Sequence, residues 1–138
     1  IGKNMMIRDL KLIQNGNPQR IKQDSTTFIE NWPKRTPDDG KINWNDSAKT
    51  IHTLIRATTH PYPGAFSFFN GKKLKIFYAD FQNDDIHDPG KILRIQNDGV
   101  AVSTGNGTIV LQSVQLEDDM ETNPVKIFTK NDVGNFLK

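Results

Sequence analysis

The sequence predicts a mainly β fold with one packed helix, closing as a small antiparallel barrel. Three observations predict it. From Ala65 onward the apolar residues recur with period two, in five short runs of even spacing. Tight-turn signals separate the runs at Asn70-Gly71, Asn97-Asp98-Gly99 and Gly105-Asn106-Gly107. One amphipathic helix, residues 47–58, stands directly before them.

In order along the chain, residues 3–13 predict a helix, because Met6, Leu10 and Ile13 share a face at helical spacing. Asn15-Gly16-Asn17-Pro18 stops it: Gly suits a left-handed cap and Pro cannot continue a helix. Its apolar stripe needs a partner surface on another domain. Residues 19–36 are polar and extended, with Ile21, Phe28, Ile29 and Trp32 as the large apolar residues. They fit two short strands or a linker lying along a surface. Arg35–Gly40 reads as a turn from its Pro, Asp and Gly.

The helix over 47–58 has three capping oxygens before it, on Asn45, Asp46 and Ser47. Ala48, Ile51, Leu54, Ile55 and Thr58 form its apolar stripe. Pro61 and Pro63 forbid its continuation, and Pro63-Gly64 suits a type II turn into the first strand. Ala65–Asn70 and Lys72–Asp80 then form a hairpin, with Leu74, Ile76 and Tyr78 on one face and Lys73, Lys75 and Phe77 on the other. An acidic loop, Asp80–Asp88, leads to strands at Lys91–Gln96 and Val100–Ser103. In Thr108–Glu117, Ile109 and Leu111 alternate in one phase and Val114 and Leu116 in the other. A bulge near Gln112–Ser113 reconciles them. Val125–Phe128 reads as a short strand, and Thr129 with Asp132 starts a terminal helical turn.

Composition bounds the function. A chain of 138 residues fits one domain with an appendage, and 35% hydrophobic content allows a small core. There is no apolar run near membrane-spanning length and no signal-peptide pattern, so a cytoplasmic protein without a membrane partner is expected. The absence of Cys excludes disulfides and thiolate chemistry. A net charge of +2 does not announce a nucleic-acid binder. The chain begins at Ile1 without an initiator Met, so a fragment of a longer protein is expected.

Chemistry-bearing patterns are few. His52, His60 and His87 lack metal-ligand spacing, and the acidic runs at 80–88 and 117–121 lack the order of a calcium loop. No nucleophile elbow or phosphate-binding loop is present. Catalytic, cofactor-binding and metal residues are therefore expected to be none. The exception is a basic-aromatic run, in which Phe68, Lys72, Lys73 and Lys75 are candidates for a ligand or nucleic-acid surface. Lysines alternating with apolar residues also describe an ordinary solvated strand face.

Pro-Lys-Arg-Thr-Pro-Asp-Asp-Gly-Lys-Ile-Asn-Trp, the helix that follows, Pro-Tyr-Pro-Gly-Ala-Phe and Asn-Gly-Lys-Lys-Leu-Lys-Ile occur here in series. So do Pro-Gly-Lys-Ile-Leu-Arg-Ile, Gly-Val-Ala-Val-Ser-Thr-Gly-Asn-Gly and Ile-Val-Leu-Gln-Ser-Val-Gln-Leu. This order resembles the linker and C-terminal domain of the methionyl-tRNA formyltransferase superfamily, which includes sugar N-formyltransferases. The resemblance covers about residues 3–117. It implies an OB-like open barrel preceded by a helix and an extended linker. Residues 1–36 would then end the catalytic domain and link it to the barrel domain, residues 37–138. Trp44, Arg56, Pro61, Tyr62, Pro63 and Gly64 carry the motif and are read as structural.

The resemblance further implies a parent that moves a formyl group from formyl-tetrahydrofolate to an amine. The family's Asn-x-His-Pro-Ser-type catalytic motif does not occur in this sequence, so this chain alone is expected to be inactive. Its implied partner is its own N-terminal catalytic domain. Glu117, Asp118, Asp119 and Glu121 stand where the tRNA enzymes often place lysines, which disfavours nucleic acid and favours a nucleotide-linked amino sugar as acceptor. The alternatives are the tRNA-binding domain of methionyl-tRNA formyltransferase and, from another class, a non-catalytic nucleic-acid-binding or homodimerising module.

Overall fold

In a computed structural model of the chain, the structure describes residues 2–16, 18, 22, 33–84 and 88–138. The chain divides into two compact units, Ile1–Lys34 and Arg35–Lys138. The first contains helix α1, Gly2–Gln14. Met6, Leu10 and Ile13, the predicted stripe, are 69%, 49% and 59% exposed. Gly16, at φ +70°, caps the helix by donating its N–H to the Ile13 carbonyl. Most of the 19–36 segment, with Phe28 and Trp32, lies outside the described residues, as does His87.

The second unit opens on a 3-10 turn, Pro37–Gly40. The Thr36 backbone N–H donates to the Asp39 carboxylate at 2.6 Å, which fixes the turn. The chain then runs beside the first strand, where the Ile42 N–H donates to the Phe66 carbonyl. Helix α2 spans Ala48–Thr58, and Ser47 caps it by accepting the Thr50 N–H at 3.2 Å. Ala48, Ile51 and Ile55 are buried, while Leu54 and Thr58 border them, as the stripe predicts. Thr58 instead turns its hydroxyl back to the Leu54 carbonyl. Beyond α2, a cis His60–Pro61 bond leads to Gly64, whose N–H donates to the Thr58 carbonyl.

Five strands follow: β1 Ala65–Phe69, β2 Lys72–Gln82, β3 Ile92–Gln96, β4 Gly99–Ser103 and β5 Thr108–Leu116. They form one antiparallel sheet in the order β1-β2-β5-β4-β3. At the first hairpin Asn70 and Gly71 both take positive φ, +49° and +79°, matching the twist of the strands they join. The C-terminal tail closes the sheet into a barrel. Phe68 and Lys138 exchange two backbone hydrogen bonds on the β1 edge. Leu137 donates to Gly90, and Asn135 accepts from Ile92, on the β3 edge. Both edges are thereby paired rather than left as open templates. The enclosed core is mainly aliphatic, built from Ile51, Ile55, Leu74, Ile76, Ile92, Val100, Val102, Ile109, Leu111 and Val114, with Trp44, Phe69 and Phe128 in the same cluster.

Two expectations are corrected. The predicted alternation of β2 fails beyond Ile76: Phe77 is buried and Tyr78 is 60% exposed. The register explains it. Ile76 pairs with Val114, Tyr78 with Ser113 and Ala79 with Leu111, so Phe77 and Gln112 are each skipped. The bulge expected at Gln112–Ser113 exists, and a second one in β2 compensates it. Both strands change phase at one level, and the pairing register beyond is unchanged. The second correction is Val125–Phe128. Pro124 cannot donate to a ladder, and Asn123 accepts the Val125 N–H, so the chain forms a 3-10 turn over Pro124–Lys126 and not a strand. Phe128 then packs on Phe69 with ring centroids 4.5 Å apart. The terminal turn predicted from Thr129 and Asp132 is present at Lys130–Asp132.

Candidate functional site

The outer face of the β1–β2 hairpin gathers the basic-aromatic residues. Phe66 lies opposite Lys75, and Phe68 opposite Lys73. The two rings meet edge to face, with centroids 5.9 Å apart and planes at 89°. Lys73 Nζ sits 3.8 Å above the Phe66 ring centroid, a cation–π contact. Lys41 enters from the segment before α2, through its bridge to Phe66, and places its Nζ 5.9 Å from the Phe68 centroid. Among the described residues, Lys41, Lys73 and Lys75 have no carboxylate within ion-pair distance.

Lys72 belongs elsewhere. It reaches Glu117 at 3.4 Å, where that residue turns the chain out of β5 with φ +52°. The structure thus brings together Phe68, Lys73 and Lys75, adds Lys41 and removes Lys72. No local signal in the sequence marks Lys41, because a pairing about twenty-five residues distant recruits it. The chemistry available is electrostatic. Three ammonium groups line one strip of sheet, suited to phosphates by counterion release. Stacking is restricted: Phe66 is buried beneath Lys73 and only Phe68 is half-exposed.

Tyr62, Pro63 and Gly64 of the corner that begins at Pro61 line a cleft of about 550 Å3, with Tyr62 63% exposed. Arg35, Asp39, Leu54 and Thr58 complete its walls. Arg56 is exposed in the last turn of α2, where its charge complements the helix dipole. The bond from the Thr36 N–H holds Asp39 below the usual carboxylate range, and Arg35 at 3.8 Å adds to it. Asp39 is, among the described residues, the one acidic side chain in the cleft. Among the described residues, no group of His, Asp and Glu is placed to hold a metal, and no helix is long and apolar enough to cross a membrane.

A single α-helix packed on a five-stranded antiparallel barrel defines a small OB-like domain. The chain belongs to the formyl transferase C-terminal domain family, whose profile matches residues 34–131. It is 33% identical over 121 residues to a methionyl-tRNA formyltransferase of Acetivibrio thermocellus, covering 85% of this chain and 38% of that protein. A methionyl-tRNA formyltransferase of Geotalea uraniireducens is 35% identical over 117 residues, covering 85% of this chain and 36% of that protein. The chain therefore spans well under half the length of these relatives. Among solved structures, HypX from Aquifex aeolicus shares the fold at a TM-score of 0.68 and 20% identity, over 88% of this chain and 22% of that one. A HypX structure in complex with tetrahydrofolic acid matches at a TM-score of 0.67 and 21% identity, over 86% and 21% of the respective chains.

Proposed function

We propose that this chain is the C-terminal accessory domain of a formyl-tetrahydrofolate-dependent N-formyltransferase whose acceptor is methionyl-tRNA. The observation that carries the acceptor is the strip of Lys41, Lys73 and Lys75, which have no carboxylate within ion-pair distance among the described residues. The names of the relatives support the same reading. In it the chain's residues bind and orient, and the chemistry belongs to the parent's catalytic domain. Lysines on a sheet face hold phosphates without reading sequence, which suits a domain that steadies a folded RNA.

A second reading has its own observation. Glu117, Asp118 and Asp119 are exposed in the turn that begins at the Lys72 ion pair. Their repulsion of a phosphate backbone favours a small acceptor, a nucleotide-linked amino sugar.

The discriminating experiment supplies the full-length protein with formyl-tetrahydrofolate and either acceptor. Transfer to methionyl-tRNA is expected, and none by the 138-residue chain alone. Transfer only to the amino sugar would replace the first reading with the second, and transfer to neither would remove both. Lys73→Glu with Lys75→Glu is expected to weaken tRNA binding at least ten-fold and to lower the salt slope by about two. Lys72→Gln, which removes a lysine already paired with Glu117, should change it little. Equal effects of the two variants would remove the strip from the interface.

A further inference from the structure

Two aromatic side chains stand together where β2 and β5 change phase, and their surroundings differ. Phe77 is buried. The His60 ring lies flat on it, with centroids 4.3 Å apart and planes within 3°. Gly64 approaches so closely that a β-carbon there would sit 3.0 Å from the Phe77 ring. Tyr78, the next residue, is 60% exposed. Among the described residues no ring stacks on it and no lysine lies over it.

The register fixes the face that Tyr78 joins. Leu74, Ile76 and Ala79 point into the core. Lys73, Lys75, Tyr78 and Asp80 take the positions between them, on the outer face. Strict alternation from Leu74 and Ile76 would put Tyr78 inside. The bulge that skips Phe77 turns it out on to the lysine face instead. Neighbours on one face of a strand lie about 7 Å apart, so Lys73, Lys75 and Tyr78 form one row. Lys41 falls in line with Lys75, because Phe66 pairs with both. Beyond Tyr78 the charge reverses. Asp80 accepts the Gln112 amide at 3.3 Å, and Glu121 accepts the hydroxyl of Ser113, which lies opposite Tyr78.

We propose that Tyr78 is the stacking platform of the lysine strip, and that it receives one unpaired base of an RNA whose phosphates Lys41, Lys73 and Lys75 hold. The proposal rests on the reading of methionyl-tRNA as the acceptor. Every base has a π face, so an exposed phenol ring takes one without reading its identity. Phe66 cannot serve, because Lys73 covers its ring. Asp80 and Glu121 repel a phosphate beyond Tyr78, so the backbone stops at Lys75 and the neutral base reaches the ring. A paired helix keeps its bases stacked inside and offers nothing to Tyr78, whereas an unpaired loop or end does.

The test measures binding of the full-length protein to transfer RNA and to a blunt, fully paired RNA duplex, over a range of salt. Tyr78→Leu is expected to weaken transfer RNA binding about ten-fold, the loss of one base stack. Its salt slope should match the wild type, because no phosphate contact is removed. Its binding to the duplex should be unchanged. Tyr78→Phe keeps the ring and should stay within about two-fold of the wild type. Tyr78→Trp should bind at least as well, and the emission it adds should be quenched by transfer RNA and not by the duplex. Tyr78 is largely exposed, so these changes leave the core intact. An unchanged affinity of Tyr78→Leu for transfer RNA, with Lys73→Glu plus Lys75→Glu weakening it, would overturn the stacking and leave the acceptor reading standing. An equal loss on both RNAs would also overturn the stacking. If the double lysine variant too binds like the wild type, the acceptor reading falls and the stacking with it.

Discussion

Gly105→Ala is expected to detach the β4–β5 loop from the segment before α2, at a cost of about 4 kcal/mol. A β-carbon built at Gly105 would lie 1.9 Å from the Asn45 carbonyl oxygen and 2.6 Å from its carbon. Those are backbone atoms, so no side chain can yield. The same approach is held by hydrogen bonds. The Gly105 N–H donates to the Trp44 carbonyl at 2.8 Å and to the Asp46 carbonyl at 3.0 Å, and the Ala48 N–H donates to the Asn106 carbonyl at 2.8 Å. A methyl group separates these partners and strands buried polar groups. Three residues before Trp44 stands Lys41, so the loop also anchors the segment that brings Lys41 to the candidate face. Urea denaturation of the variant and of Gly71→Ala makes the test. Gly71 has open space around it and a φ of +79°, so Ala there should cost only about 1 kcal/mol. Equal losses at the two positions would show that the close approach to Asn45 is not what matters.

The strands and turns were legible because their signals are local. Asn70-Gly71 announces its hairpin by composition, and the phase change between Leu111 and Val114 announces a bulge. The phase change in β2 was hidden because Ile76, Phe77 and Tyr78 are all apolar, so alternation cannot tell which of them turns outward. The closing tail was hidden for another reason. Val133–Lys138 has no strand periodicity, and its bonds run to Phe68, Gly90 and Ile92, between forty and seventy residues earlier. Nothing in a short window reports such pairing.

The candidate face followed the same division. Phe68, Lys73 and Lys75 lie in one sequence run, and a period of two puts them on one side of a hairpin. Lys72 is in that run too, yet a distant carboxylate claims it. Phe66 lies beside that run, but Lys73 covers its ring in the fold. The family motifs were legible because turns and caps such as Ser47 and Pro61–Gly64 constrain the residue types they accept. The acceptor was not, because it depends on summed charge across elements, and the acidic turn and the lysine strip pull opposite ways.

Trp44→Ala should cost about 4 kcal/mol, the range of a buried aromatic removed from a core that cannot collapse around it. Trp44 is 5% exposed and packs in the main core cluster. Its indole also starts a buried relay. Nε1–H donates to Ser67 Oγ at 2.9 Å, and that hydroxyl donates to the Lys138 carbonyl at 2.9 Å. Ser67 is fully buried in β1, so each of its bonds substitutes for lost water. The relay ties the segment before α2 to the tail that closes the barrel. Trp44→Phe keeps most of the packing and removes only the donor, so about 1–2 kcal/mol is expected. Ser67→Ala should cost a similar amount, because it leaves the indole N–H without its acceptor. If the three groups act as one unit, Trp44→Phe and Ser67→Ala together should cost about 1 kcal/mol less than their sum. Strict additivity in chemical denaturation would break the relay into independent contacts. Coupling would show that a tryptophan in the family motif acts by holding the barrel closed.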